Sequence, residues 1–314
     1  MMIRRLLTLL ACAALVAPLA AGPARAADAP LTIRVATTPI ELGAQVMYAQ
    51  DQGFFKKAGV NVDLQIMDSG AAIAAAVASG ALDVAQGNLV TLATAHERAL
   101  PFVVVAPAGL YASSDPTTSL VVPKTSQIKN AKDLENKTVA INGLRNITQI
   151  GASAWMDQNG GDYAKVRFIE MPFPQMGAAL EAGRIDAAVI AEPELSTALA
   201  GGSRVIAQPY TAIGKQFLIG GWFTTSAWAK AHPAELKKFV GAIVDAGKWA
   251  NGHRPESARI LEKYTKIHVS PGMKRTTYAE RLNPADVQPL IDAAAKYKSI
   301  KSTFPAADLI ATGA

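Results

Sequence analysis

Ala76-Val-Ala-Ser-Gly-Ala-Leu-Asp-Val-Ala85 and Ala179-Leu-Glu-Ala-Gly-Arg-Ile-Asp-Ala-Ala188 are two versions of one segment, 103 residues apart, with alanine, glycine and aspartate in matching places. The correspondence continues upstream at an offset of 104. There Val35 falls on Val139, and Met67 ahead of Ser69-Gly70 falls on Met171 ahead of Phe173-Pro174. One alanine-rich decamer recurs easily by chance; a nearly constant offset through strand, loop, helix and strand does not. The chain is therefore expected to fold as two similar α/β lobes. Gly80 and Gly183 each stand where a helix gives way to a strand, which suits a left-handed cap. Asp83 and Asp186, at the start of the following strand, read as structural.

Around these segments the pattern is β-α-β-α-β. Residues 31–36 read as a strand, 41–52 as a helix stopped by Gly53, and 60–67 as an alternating strand. A helix over 71–79, closed by Gly80, leads to a short buried strand at 82–85. This order implies mixed, mostly parallel sheets covered by helices on both faces. Two β-rich runs outside the repeat, Ser119 to Val122 and Gln216 to Thr225, are expected to be the two crossovers of a two-segment hinge. Residues 27–118 and 221–314 would then form the first lobe and 119–220 the second. Leu236, Phe239, Val240, Ile243 and Val244 follow helical spacing, and the C-terminal helices are expected on the first lobe.

The 314 residues are 50% apolar and 18% charged, a folded composition rather than a disordered one. The formal charge of +6 overstates the basic character. Arg4, Arg5 and Arg25 lie in a segment that reads as an export signal: a positive start, an apolar stretch from Leu6 to Ala21, and Ala24-Arg25-Ala26 with small residues where a signal peptidase cuts. Cleavage is expected after Ala26. The apolar stretch, interrupted by Pro18, falls short of the ~20 residues of a membrane span. The apolar run ahead of Cys12 is short for a lipid-attachment site. The remaining 28 basic residues face 25 acidic ones, a balance of +3. That is too small to argue for nucleic acid. Cys12 is the single cysteine and sits in the removable segment. A thiol nucleophile, a cysteine zinc site and an iron–sulfur cluster are thereby removed.

In open α/β sheets ligands bind outside the carboxyl ends of the strands. Six loops answer to that rule: 37–39, 68–70 and 86–88 in the first lobe, and 142–146, 172–175 and 191–193 in the second. Ser69-Gly70 opens a helix and offers a hydroxyl and free amides to an anionic oxygen. Gly143, Leu144 and Asn146 offer a second helix start, with Arg145 as a charge partner. Thr37, Thr38 and Asn88 supply neutral hydrogen bonds. Phe173 and Trp222 either wall in an apolar part of the ligand or belong to the core. Glu192 follows an apolar strand beside Pro193, where an unpartnered carboxylate is costly to bury. It either serves the structure or hinge through a helix end or cation, or meets a ligand amino group.

The residues of catalysis are missing. Gly151-Ala-Ser-Ala-Trp155 begins like a nucleophile elbow but lacks its last glycine and lies in a helical stretch. His96, His232, His253 and His268 have no metal-ligand spacing and lie outside the six loops. No Walker loop or dinucleotide fingerprint occurs. A binding protein without cofactor, metal or catalytic residues is the expectation.

Gly53-Phe-Phe-Lys-Lys-Ala-Gly59, Ser69-Gly70, Ala78-Ser-Gly-Ala-Leu-Asp83, Lys132-Asp-Leu-Glu-Asn-Lys137, Ala182-Gly-Arg-Ile-Asp-Ala187 and Glu192-Pro193, in that order, resemble the solute-binding proteins of nitrate, sulfonate, taurine and thiamine-precursor ABC transporters. The resemblance spans about residues 31 to 225. It implies a type II periplasmic binding protein fold that closes on its ligand about a hinge. It also implies a periplasmic location, and delivery of the solute by a monomer to a membrane permease and its ATPase. The ligand-contacting positions of the family match Thr38, Ser69, Gly70, Asn88 and the Gly143 loop. A fungal pyrimidine synthase shares the fold, but its active-site histidine and cysteine-rich iron motif have no counterpart here. A sensory partner role would use the same pocket. The helix starts and Arg145 favour a small organic anion, a sulfonate or carboxylate with an aromatic or alkyl body. If Glu192 and Asp68 face the cleft, an amino-bearing ligand such as taurine or an aminopyrimidine is the alternative.

Overall fold

The computed structural model describes residues 31–311, so the expected signal segment lies outside the described residues. Among the described residues no helix is long and apolar enough to cross a membrane. The chain begins with β1 (Thr32–Thr37), α1 (Gln45–Asp51), α2 (Phe54–Ala58), β2 (Asn61–Ile66), α3 (Gly70–Ala78), β3 (Val84–Asn88), α4 (Leu89–Glu97), β4 (Phe102–Pro107) and β5 (Gly109–Ala112). It continues with β6 (Thr118–Pro123), β7 (Thr138–Ile141), α5 (Ile147–Gln158), β8 (Arg167–Glu170), α6 (Phe173–Glu181), β9 (Ala187–Ala191), α7 (Glu194–Ala200) and β10 (Ser203–Ala207). It ends with β11 (Gln216–Leu218), β12 (Gly220–Thr225), α8 (Ser226–Ala231), α9 (Pro233–Gly252), α10 (Arg254–Thr265), β13 (Thr277–Tyr278) and α11 (Pro284–Lys296).

Two five-stranded sheets follow, in the orders β2-β1-β3-β12-β4 and β8-β7-β9-β6-β10. In each sheet the first three strands are parallel and the fourth runs antiparallel to its neighbours. The two orders superpose element by element, so the sequence repeat is a repeat of topology. The aspartates show why these positions persist. Asp83 accepts the Arg34 amide at 2.8 Å, and Asp186 accepts the Thr138 amide at 2.8 Å. The reciprocal amides of Asp83 and Asp186 donate to the carbonyls of Arg34 and Thr138. Each aspartate thus closes the open end of a parallel pair, satisfying a backbone donor that the ladder leaves unpaired. Gly80 and Gly183 take φ values of +76° and +64°, the left-handed region that glycine enters without steric cost.

Both sheets are covered on both faces. Ile73, Val77, Leu89 and Phe223 belong to the core on one side of the first sheet, and Val35, Met47, Trp222 and Phe239 to the core on the other. The second sheet is similarly packed, by Leu134, Val139 and Met156 on one face and Met176, Leu180 and Ile190 on the other. Helix α9 packs on α1, α2 and β4, and α10 on α1 and α9. By contrast α11, on the opposite side, also reaches α5 of the second lobe. Lys296 Nζ lies 3.0 Å from Asp157 Oδ2, and the Tyr297 hydroxyl donates to the same oxygen at 2.9 Å.

The crossover expectation needs correction. Residues 119–122 lie in β6, a buried strand inside the second sheet between β10 and β9, because their unbroken apolar run fits a strand packed on both faces. The chain passes between the sheets just after β4 and just before β12. There β5 and β11 pair antiparallel, Leu110 opposite Leu218, with β13 on the other edge of β5.

Candidate functional site

Helix starts from both lobes open on one cavity of about 430 Å³. From the first lobe come the start of α3, where the Ser69 hydroxyl accepts the Ala72 amide at 3.3 Å, and the start of α4, where Asn88 Oδ1 accepts the Thr91 amide at 3.0 Å. From the second comes the start of α5, where Asn146 Oδ1 accepts the Thr148 amide at 3.0 Å. Each cap consumes its side-chain acceptor and one amide, leaving the first amides of the helix without an intrahelical partner. At α4 the Leu89 amide is taken by the Ile219 carbonyl at 3.0 Å; the remaining amides, at the positive ends of the helix dipoles, are suited to an anion.

Ten of the residues singled out from the sequence line this cavity: Thr38, Ser69, Gly70, Asn88, Gly143, Leu144, Arg145, Asn146, Phe173 and Glu192. The loop before α5 is tightly built. A Cβ on Gly143 would come within 2.7 Å of Asn146 Nδ2, so glycine lets the cap sit beneath it. The Asn146 amide donates to Asn142 Oδ1 at 2.8 Å, and Arg145, at φ +58°, turns the chain into the helix with its own amide donating to Gln149. The Arg145 side chain is exposed and has no ion-pair partner among the described residues.

Two expected residues are elsewhere. Trp222 is fully buried in the first sheet's core, its indole N–H donating to Gln45 Oε1 at 2.8 Å and its ring edge-on to Phe239. Strand alternation is the cause: Gly221 and Phe223 face the α3 side and Trp222 the α9 side. Thr37 is also fully buried, its hydroxyl donates to the Gly43 carbonyl at 3.1 Å, and it does not line the cavity. Asp68 does not line the cavity and faces a separate recess of about 20 Å³.

Several lining residues had not been singled out. Thr91, Thr94 and Arg98 extend the α4 face that Asn88 starts, and Ala71, Ala74, Ala75 and Ala78 extend the α3 face beyond Gly70. Helical phase alone would have given both sets once Ser69 and Asn88 were placed. Gln86, 2% exposed, lines the cavity with its Nε2 lacking any hydrogen-bond partner among the described residues. Tyr210, Thr118 and Thr276 come from distant segments that no local pattern announces. The four histidines are absent from the lining, and no cluster of three metal-ligating side chains occurs among the described residues.

Glu192 is the electrostatic centre of the cavity. Only 4% exposed, it accepts the Ser196 amide and hydroxyl at 2.9 Å each, which ties it to the start of α7. Burial pushes its carboxyl up to about 7, against the pull of those Ser196 bonds. Burial also raises Glu194 and Glu41. A carboxyl raised on folding stabilises the fold while protonated. That contribution is complete below about pH 4.3 and is lost as pH rises through about 7. Thermal stability of the free protein is therefore expected to fall between about pH 4 and 7, Glu192 contributing up to about 3 kcal/mol. Glu192→Gln should flatten part of that slope. A variant whose melting profile against pH overlays that of the parent would refute the assignment.

A family model described as NMT1/THI5 like matches residues 43–258. The taurine-binding periplasmic protein of Escherichia coli K12 is 29% identical over 198 residues, which cover 62% of this chain and 59% of that protein's length. The chain thus spans somewhat over half the length of that curated relative. The periplasmic aliphatic sulphonate binding protein SsuA from Escherichia coli superposes with a TM-score of 0.73 at 17% identity, covering 90% of this chain and 92% of that one. The nitrate-binding protein NrtA from Synechocystis PCC 6803 superposes with a TM-score of 0.74 at 14% identity, covering 88% and 84%. The fold is that of the periplasmic binding proteins.

Proposed function

The chain belongs to the NMT1/THI5-like family, and from that premise we propose that it is the solute-binding component of an ABC importer. It works in the periplasm and captures a small organic anion, a sulfonate or carboxylate, between its two lobes. One observation carries the reading: the starts of α3, α4 and α5, drawn from both lobes, meet on one cavity beside Arg145. The ligands for which the relatives are named, taurine, sulphonate and nitrate, are all small and carry an anionic oxygen group. The protein acts as a monomer and hands the solute to a membrane permease driven by an ATPase. It does no chemistry on the ligand. The cavity lining holds no histidine or cysteine, and its two carboxyl groups, on Glu170 and Glu192, already bond backbone amides.

A thermal-shift panel of sulfonates, carboxylates, nitrate and aminopyrimidines tests this. A ligand at 100 times its dissociation constant adds about 2.7 kcal/mol, and no response to any member would overturn the proposal. Arg145→Ala should weaken an anionic ligand about tenfold or more, the worth of a charge-assisted hydrogen bond. Unchanged affinity would remove Arg145 from the site.

Glu192 favours a second reading, a zwitterion whose ammonium meets this carboxylate. The two readings differ in sign. Affinity for taurine would rise as pH passes through about 7, where Glu192 ionises. Affinity for ethanesulfonate, which lacks the amine, would stay level or fall. Calorimetric titration of both ligands at pH 6 and 8 separates them.

A further inference from the structure

The cavity does not stop at the cleft. It continues down the first lobe between α3 and α4, past Ala75 and Ala78 on one side and Thr91, Thr94, Ala95 and the exposed Arg98 on the other, to Leu100 and Phe102. From Ser69 to Ala78 that is about 13 Å at ~1.5 Å per residue. The whole cavity is in the range of sites that hold drug-sized molecules, roughly 300–1,000 Å³.

The groove wall is unusual for a helix surface. The sequence of α3, Gly-Ala-Ala-Ile-Ala-Ala-Ala-Val-Ala, contains no polar side chain. Ile73 and Val77 face the sheet, yet Ala71, Ala72, Ala75 and Ala78 are exposed. A surface helix ordinarily turns charged or polar residues outward. The repeat supplies an internal control, since α6 is the equivalent helix of the second lobe. At the positions of Ala72 and Ala78 it carries Gln175 and Glu181, both exposed, and of its residues only Phe173 lines the cavity. Ala72 itself does not line the cavity; of the alanines that do, Ala78 is the one with a polar counterpart, Glu181, while Ala71, Ala74 and Ala75 fall on Pro174, Gly177 and Ala178. At the cleft end, the unpartnered Gln86 Nε2 is a buried donor lining the same cavity. Leaving such a donor unpaired is costly, and a ligand oxygen would satisfy it.

We infer that the groove between α3 and α4 holds an extended apolar body of the ligand, whose anionic head sits at the cleft by the helix starts and Gln86. The solute is then a long-chain or aryl-tailed organic anion rather than a compact one. This rests on the anion-binding reading above and names its substrate class.

The test is a chain-length series of alkanesulfonates with two, four, six and eight carbons, and the matching alkanoates, titrated by calorimetry. Affinity should rise about fourfold per methylene buried, from the ~0.8 kcal/mol of each CH₂. Ala75→Phe places a ring across the groove at an exposed position, and Ala78→Glu restores the polar residue of the sister helix. Both should abolish the gain from six and eight carbons while leaving ethanesulfonate within about twofold. A flat series in the parent protein, or a blocked variant that loses the short and long ligands equally, would overturn the groove and leave the anion reading standing. Absence of binding by every member of both series would overturn the two together.

Discussion

Arg275→Met is expected to destabilise the protein by about 3–5 kcal/mol, the cost of leaving a buried charge without its partner. Arg275 Nε lies 2.5 Å from Glu41 Oε1, and Glu41 is 1% exposed. The same guanidinium donates to the Arg254 carbonyl at 2.8 Å, to Ser257 at 3.2 Å and to the Tyr48 hydroxyl at 3.3 Å. Glu41 Oε2 accepts the Thr276 amide at 3.1 Å. Burial pushes the Glu41 carboxyl up, and Arg275 is the strongest influence pulling it back. Without Arg275 the carboxyl must take up a proton or stay charged in an apolar site, and either costs stability. Glu41→Leu combined with Arg275→Met removes both charges and should recover most of the loss. Urea unfolding of the single and double variants measures it. A single variant within 1 kcal/mol of the parent would deny the pair its structural role. The pair also fixes ligand-facing chain, since Ile40, Leu42 and Thr276, which flank its two ends, line the cavity.

Trp222→Ala is expected to cost a further about 3–5 kcal/mol if made alone, from the cavity left in the core. It also strands the Gln45 carbonyl oxygen that its indole N–H satisfies. The informative part is what should not change. Ligand affinity of the folded protein should stay within about twofold, because Trp222 does not line the cavity. A variant that folds with near-parental stability but loses tenfold in affinity would return Trp222 to the binding site. Chemical denaturation and calorimetry on one preparation give both readings.

The contrast between these residues and those read successfully shows what sequence can carry. The repeat, its glycine caps and its aspartates were legible because each depends on chain segments a few residues long, repeated at one offset. Ser69 was legible for the same reason, since a capping side chain and the amide it accepts are three residues apart. Trp222 was ambiguous because alternation along a strand says which residues share a face and not which face meets the cleft. Thr37 failed because its hydroxyl is taken by Gly43, six residues on, in a turn whose shape the sequence does not announce. Glu41 and Arg275 lie 234 residues apart and meet only when the first lobe is complete. The first crossover was misplaced because a buried strand and a connecting strand look alike in an apolar run such as Ser119 to Val122.

The strand order has a further consequence, for the sequence of events in which the molecule assembles. All five strands of the second sheet come from one uninterrupted stretch, residues 118–207. The first sheet needs β12, wedged between β3 and β4, with Gly220 opposite Asn88, 132 positions earlier in the chain. A nascent chain emerging N-terminus first cannot close its first lobe until the second has been synthesised in full. Long-range closure of this kind is slow. The older half of the polypeptide must therefore wait, open, for the younger half to be threaded into it.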